Sequence, residues 1–451
     1  MRDAKCRSLF QAVLLLVVGS AMPTGSASAQ SVAWRQFHGR PDHVGVNRRE
    51  HILGLGNVGS LSLEWVGLGD VSQFGNVFNS SPAIVGGVAY FGDTNGTLYA
   101  FSANGCGSDA CEPLWRAPLG EGIYNSPAVM DGIVYVGTSS VNGALYAFDA
   151  AGCGASVCTT PLWQSPPLSI VDSSPTVANG MVYVGVQGAG QGPGVYAFAA
   201  HGCGSPVCPP LWYGPTGDFV DNSPAVSNGV VYAAGNDGKL YAFAAGGCGS
   251  DTCPPLWTGQ LGAGTFASSA AVWNGVVYIG SYWDGRLNAF AAAGCGQPTC
   301  QPLWKGDAGT YVFSSPAVAN GRVYIGSGDA QLKVFDAAGC GQALCQPLWV
   351  GMMVGSQATM ESPPTVANGV VYIGENNRSV AAFKANGCGQ SMCEPLWQYA
   401  TDSSIVNSAP VVVNGTLYVA SSNFGFTPEL YVFKLFGEEP EAPSEAEDPG
   451  R

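Results

Sequence analysis

The sequence predicts an all-β fold, an eight-bladed β-propeller of four-stranded antiparallel blades, and three observations predict it. One phrase recurs, with variations, eight times: Ser-Pro-Ala-Val, Asn-Gly, Val-Tyr-Val-Gly, Leu-Tyr-Ala-Phe, Gly-Cys-Gly-x3-Cys, Pro-Leu-Trp. Its first proline is assigned to Pro82, Pro127, Pro175, Pro224, Pro316, Pro363 and Pro410, with Ala270 in the remaining copy, so the units stand 45 to 49 residues apart. Second, each copy holds four short runs rich in Val, Tyr, Ile and Phe between Asn-Gly, Asp-Gly or Gly-Cys-Gly, the pattern of antiparallel strands joined by tight turns. Third, the tryptophan run is out of phase with the rest. It occurs at Trp65, Trp115, Trp163, Trp212, Trp257, Trp304, Trp349 and Trp397, so the first precedes the first Ser-Pro-Ala-Val and the last unit has none.

In chain order, residues 1–29 read as a secretory signal, with Arg2, Lys5 and Arg7 before an apolar core at 12–18 and Ala27-Ser28-Ala29 as the cleavage site. Cleavage near Ala29 predicts a secreted or periplasmic protein. No later run approaches the roughly 20 apolar residues of a membrane span, and no Cys follows the cleavage site to carry lipid, so no membrane insertion is expected. Residues 30–60 form a lead-in and 61–436 the propeller. In the copy from Asp221 to Trp257 the strands fall at 223–227, 230–234, 239–244 and 256–259. A solenoid has the same local pattern, but the phase of the tryptophan run favours a ring. The strand at 61–66 completes the last blade beside 430–433, and closure removes most exposed sheet edges. Residues 437–451 hold six carboxylates and no aromatic, the composition of a solvated tail.

Composition narrows the partners. Only 11% of residues are charged, the formal charge is -14, and the 17 Lys and Arg are scattered. Nucleic acid is therefore excluded as a partner, because phosphate binding needs clustered cations. The closed ring is read as a monomer.

The repeats resemble those of the PQQ-type β-propeller superfamily, and Trp34-Arg35-Gln36-Phe37-His38-Gly39 resembles the segment before blade one in its members. The resemblance covers about residues 34–436. It implies the fold; the superfamily spans quinoprotein dehydrogenases, outer-membrane assembly lipoproteins and other exported propellers, so function must be argued from the site. The dehydrogenases hold a quinone between a tryptophan and a vicinal disulfide, above a calcium bound by Glu, Asn and Asp. This chain has no adjacent Cys-Cys, no Cys-x-x-Cys-His and no long insertions, and it also lacks the lipid-bearing Cys of the assembly proteins. It is similar to a non-enzymatic, exported branch.

Cys6 leaves with the signal, and the other fourteen cysteines pair as Cys106/Cys111, Cys153/Cys158, Cys203/Cys208, Cys248/Cys253, Cys295/Cys300, Cys340/Cys345 and Cys388/Cys393. Strict pairing within each loop and an oxidising compartment point to local disulfides, each worth on the order of 2 kcal/mol in the loop-entropy model. Metal binding is the alternative, but each loop offers only two thiolates to a tetrahedral site.

Connections in a propeller alternate between two faces, so the Cys loops share one face with the Asn-Gly turns. The copies differ on the other. Two residues before each assigned proline stand Ser80, Asn125, Ser173, Asn222, Ser268, Ser314, Glu361 and Ser408, a predicted polar collar at the channel mouth, with Asn79, Tyr124, Asp172, Asp221 and Asn407 beside it. The plain reading is that these groups cap strand ends and hold buried water. The functional one makes Glu361, Asp172, Asp221, Asn125 and Asn222 the seat of PQQ with calcium. Loops 281–284 and 423–426 carry Tyr282, Trp283, Phe424 and Phe426 where turn residues would suffice. With Tyr124 these are candidate partner anchors, or rings packed on neighbouring loops. His38, His43, His51 and His201 match no ligand spacing, and no Gly-x-Ser-x-Gly is present.

The leading expectation is a non-catalytic exported scaffold without cofactor that presents its aromatic face to a protein or polysaccharide of the envelope or exterior. A minimal PQQ- and calcium-dependent dehydrogenase is the runner-up. A purely structural wall component is third.

Overall fold

Why each repeat becomes a blade is visible at its first turn. In blade 4 the inner strand Ala225–Ser227 reverses at Asn228 and Gly229 into Val230–Gly235, and both turn residues have positive φ, 50° and 76°. A two-residue hairpin turn of this hand matches the twist of the strands, and Asn-Gly tolerates it best. Asn179, Asn274, Asn320, Asn368 and Asn414 repeat the geometry, with Asp131 in blade 2 and Gly86 in blade 1. The blade continues through Lys239–Ala244 to the outer strand Trp257–Gln260.

The computed structural model describes residues 33–69, 80–140, 142–170, 172–188, 190–262, 268–353, 358–402, 404–405, 408–421 and 429–435. They form eight small sheets, each built on four antiparallel strands, which in seven of the sheets follow one another in sequence. The eighth is completed as expected: Leu61–Leu68 pairs antiparallel with Glu429–Leu435, with a bulge between Leu63 and Trp65. Among the described residues no helix is long and apolar enough to cross a membrane.

Adjacent blades are joined by the residues the repeat keeps. The tyrosine of Val-Tyr-Val-Gly crosses to the next blade: Tyr90, Tyr135, Tyr183, Tyr232, Tyr278, Tyr324 and Tyr418 donate to the carbonyls of Ala150, Ala200, Ala245, Ala292, Ala337, Ala385 and Ala103 at 2.8–3.0 Å. The outer-strand indoles of Trp115, Trp163 and Trp212 donate to Ala150, Ala200 and Ala245 as well. The first glycine of each Gly-Cys-Gly lies against the previous blade's indole. At Gly247, φ is 78° and a Cβ would come within 2.8 Å of Trp212 Cδ1, so only glycine satisfies both the turn and the packing.

All seven expected disulfides are present, with Cα–Cα separations of 5.5–5.7 Å. Their loops do more than close small rings. The segment at the second cysteine pairs in parallel with the outer strand of the preceding blade: Ala110–Cys111 on Leu61–Leu68, Thr299–Cys300 on Trp257–Gln260, Leu344–Cys345 on Trp304–Asp307 and Met392–Cys393 on Trp349–Gly351. In the other three loops the contact shortens to single bridges from Val157 to Arg116, Val207 to Gln164 and Thr252 to Tyr213. There the N–H groups of Cys158, Cys208 and Cys253 donate to the carbonyls of those same three residues, Arg116, Gln164 and Tyr213, at 2.8 Å. Each cystine loop thus covers an edge strand that would otherwise offer free backbone groups.

The pairing is local, as the sequence predicts, and the docking gives it a second role. The first cysteine of each pair is exposed, but the second is core: Cys158, Cys208 and Cys253 are only 2%, 2% and 1% exposed. They are packed in the same apolar clusters as the preceding blade's indoles, Trp115, Trp163 and Trp212 respectively. The reason is the backbone bond across the junction, which draws the second half of each cystine down between the blades. Each disulfide therefore ties an exposed turn to a buried contact.

Candidate functional site at the channel mouth

The inner strands line the channel and turn one row of backbone groups toward it, and buried groups of this kind need partners. The lead-in supplies them. Ile84 donates to the carbonyl of Trp34, Val129 to Arg35, Val226 to Pro41, Val272 to Asp42, Val318 to Val44 and Val366 to Gly45, at 2.6–2.8 Å. Val177 donates to Gln36 Oε1 at 2.9 Å, and Asn47 Nδ2 donates to the carbonyl of Val412 at 2.7 Å. Residues 34–47 therefore visit blades 1 to 8 in order, in one turn around the channel. Positive φ at His38, Gly39, His43 and Gly45 makes the curve, and a Cβ on Gly39 would lie 2.9 Å from Trp34 Cε3.

This segment explains two histidines that matched no ligand pattern. His38 and His43 are fully buried; His38 Nδ1 pairs with the carbonyl of His43 at 2.9 Å, and His43 Nε2 with Thr176 Oγ1 at 3.0 Å. Burial lowers His38 to about 4 and, with the neighbouring His38, holds His43 well below its usual range, so both fill the channel as neutral rings. His51 is exposed and bonds to Arg49. Among the described residues no three His, Cys, Asp or Glu side chains gather as a metal site.

Above the lead-in the residue before each repeat proline forms a belt. The backbone N–H groups of Ala409, Ser81, Ser126, Ser174, Ser223 and Ser269 donate to the hydroxyls of Ser81, Ser126, Ser174, Ser223, Ser269 and Ser315 in the next blade, at 2.7–2.9 Å. One register in blade 7 is corrected here. Val366 occupies the place of Val318, and Ser362 Oγ accepts from Gly374 as Ser314 Oγ accepts from Gly326. The repeat proline is therefore Pro364, the collar residue is Ser362 rather than Glu361, and Pro363 interrupts the serine belt. Two consecutive prolines concealed the shift.

Glu361 accordingly stands one step farther out, level with Tyr124, Asp172, Asp221 and Phe313. Phe37, from the lead-in, floors a small funnel walled by Ser126, Ser174, Ser223, Ser269 and Ser315, with Tyr124, Asp172, Phe313, Glu361 and Pro363 around it. The space open to water centres is about 30 Å³, room for roughly two or three waters. Asp172 has no hydrogen bond among the described residues, and burial together with the Asp221 carboxylate raises it to about 7. Asp221 is held by Gln187 Nε2 at 2.6 Å and Asn236 Nδ2 at 2.7 Å. Thr359 donates to Glu361 at 2.9 Å.

The five residues considered for a quinone and calcium thus divide. Asp172 and Glu361 line the funnel, whereas Asp221 is engaged with Gln187 and Asn236. Asn125 and Asn222 are buried and spend both ends of their amides on their own second strands, at Gly137 and Ala234. Among the described residues no Lys or Arg lines the funnel to meet a carboxylated ligand.

The aromatic rim adjoins the funnel through Phe313. Tyr282 packs on Trp283, Tyr311 and Phe313 with centroids 4.6, 5.4 and 4.5 Å away, and Trp283 is 64% exposed. Tyr311 and Phe313 were missed in the sequence because they fall in a loop without a turn signature. Phe424, Phe426, Asn79 and Asn407 lie outside the described residues.

By fold and repeat, then, the molecule is an eight-bladed β-propeller. Residues 283–427 match the family model described as outer membrane protein assembly factor BamB. No curated protein sequence matches the chain. Among solved structures it is similar to the quinohemoprotein alcohol dehydrogenase of Comamonas testosteroni, with a TM-score of 0.66 at 14% identity over 91% of this chain and 82% of that one. BamB of Moraxella catarrhalis gives 0.57 at 14% over 84% and 99%, and the computationally designed Ika8 protein 0.57 at 13% over 82% and 100%. At such identities the likeness is one of fold.

Proposed function

We propose that the protein is an exported, non-catalytic binding scaffold that presents its funnel face to a protein or polysaccharide of the cell envelope or exterior. The observation that carries this reading is Trp283, exposed over 64% of its surface while Tyr282 beneath it is packed on Tyr311 and Phe313. A large ring kept in water on a rigid base is the usual anchor of an interface. The lead-in that fills the channel supports the reading, since it leaves a shallow docking face instead of a deep reaction pocket. The matched family's description, an outer membrane protein assembly factor, is of the same kind.

The test compares the mature protein with a Trp283→Ala variant of equal melting temperature, both immobilised and exposed to solubilised envelope proteins and to purified wall polysaccharide. A species held by the parent and released by the variant is the expected result. Equal retention of every species, or saturable binding of PQQ with calcium, would overturn the reading.

A further inference from the structure

We propose that the funnel is a receptor for one organic cation, an alkylammonium or guanidinium group, seated between the carboxylates of Asp172 and Glu361 beside the rings of Tyr124 and Phe313. Charge supports this first. Two carboxylates line the funnel and no Lys or Arg does, in a chain of formal charge -14 whose field draws cations toward such a concavity. Asp172 is the key group: it is partly buried in the wall, has no hydrogen bond among the described residues, and has another carboxylate, Asp221, as its charged neighbour. A partly buried anion left without a counter-ion is held at a cost that a bound cation removes.

Size and wall chemistry select the class of cation. Room for two or three waters admits an ammonium or guanidinium head and excludes a sugar ring. The serine hydroxyls of the belt each accept one backbone N–H and retain a second lone pair for a donor in the funnel. Phe37 closes the floor, and Tyr124 and Phe313 supply aromatic walls, which favour an organic cation through ring electrostatics once water is displaced. The inference stands apart from the docking reading, because a free amine and the basic side chain of a partner carry the same head.

The experiment titrates the full mature chain at pH 8 with butylguanidinium, butylammonium, the neutral analogue butylurea and calcium chloride, followed by calorimetry. Saturable one-to-one binding of a cation, no binding of butylurea, and at least about tenfold weakening in both Asp172→Asn and Glu361→Gln are expected. Asp172→Asn keeps the shape and removes the repulsion from Asp221, so its melting temperature at pH 8 rises even as binding is lost. Absence of saturation by either cation would sink the proposal. So would affinity unchanged in both variants, or calcium binding in place of the organic ions. A glycine-flanked arginine peptide then separates the sources: tighter binding than butylguanidinium, reduced to the small ion's affinity by Trp283→Ala, marks a partner-borne side chain, and equal affinity marks a free amine. Loss at Trp283 alone would leave the cation seat standing.

Discussion

Seven of the blade junctions share one set of fastenings, and the eighth, between blades 7 and 8, is built differently. At the seven, a tyrosine bonds to an alanine carbonyl of the next blade and a cystine loop covers the preceding outer strand. At the eighth, Tyr372 is fully buried and its hydroxyl has no partner among the described residues, and blade 8 carries no cysteine pair. What holds that junction comes from outside the repeat. Leu53, Val58 and Leu61 pack with Tyr372, Trp397 and Phe433, and Glu50 accepts from Ile52, Leu53 and Gly415. Trp397 Nε1 donates to the carbonyl of Leu61 at 3.1 Å. A ring made of near-identical units closes with unique residues, because the unit that would complete the pattern is replaced by the two ends of the chain.

The largest effect is therefore expected from the lead-in. Removing residues 33–47 takes one hydrogen bond from each of the eight blades. At about 1 kcal/mol for each buried bond, and with Phe37, His38 and His43 gone from the channel, the loss is of the order of the whole stability of a typical domain. The urea midpoint should fall sharply. A truncated chain that melts like the parent would show that the channel needs no filling.

How much of this was legible follows from what repeats. Strands, turns, the closing strand and the cystines announce themselves because each occurs many times, so coincidence is averaged out. The circuit of Trp34 to Asn47 occurs once, has no periodicity, and bonds mainly through backbone carbonyls, which no side-chain pattern reports. The reach of each cystine loop to the preceding blade was hidden for a related reason: Ala110, Val157, Thr252 and Leu344 bind through the main chain, and their side chains vary freely. The burial of Cys158, Cys208 and Cys253 follows from that reach and was hidden with it. Glu361 was misplaced by one residue where Pro363 and Pro364 stand together, and a one-residue shift in an extended segment turns a side chain to a different surface. Asn125 and Asn222 look like ligands as a pair of types, yet each is consumed by its own blade.

A smaller effect separates the channel from its mouth by pH. The unfolded chain protonates His38 and His43 near 6.5, whereas folded His38 resists until about 4 and folded His43 until well below its usual range. Stability therefore falls as pH drops below 6.5, by up to about 1.4 kcal/mol per pH unit for each histidine. Asp172 works the other way. Its carboxyl titrates at about 7 when folded and at 3.8 otherwise, so folding gains stability as pH falls from 7 toward 3.8. In Asp172→Asn the second contribution is gone, and the urea midpoint should fall steadily from pH 7 to pH 4.5. A flat profile in that variant would contradict the neutral, buried histidines of the lead-in.

The smallest effect is the sharpest test of the odd junction. Tyr278→Phe removes a hydroxyl that donates to Ala337 at 2.8 Å in a buried site, strands that carbonyl, and should cost about 1 kcal/mol. Tyr372→Phe removes the equivalent hydroxyl where it is buried without a partner among the described residues and next to the Glu50 charge, which together with burial pushes the phenol far above its usual range. Deleting an unsatisfied polar group returns its desolvation penalty, so this variant should be neutral or slightly more stable. The two melting temperatures, measured side by side, decide whether the ring has seven equal joints and one of another kind: equal losses would mean that Tyr372 is bonded after all and that the closing junction is fastened like the rest.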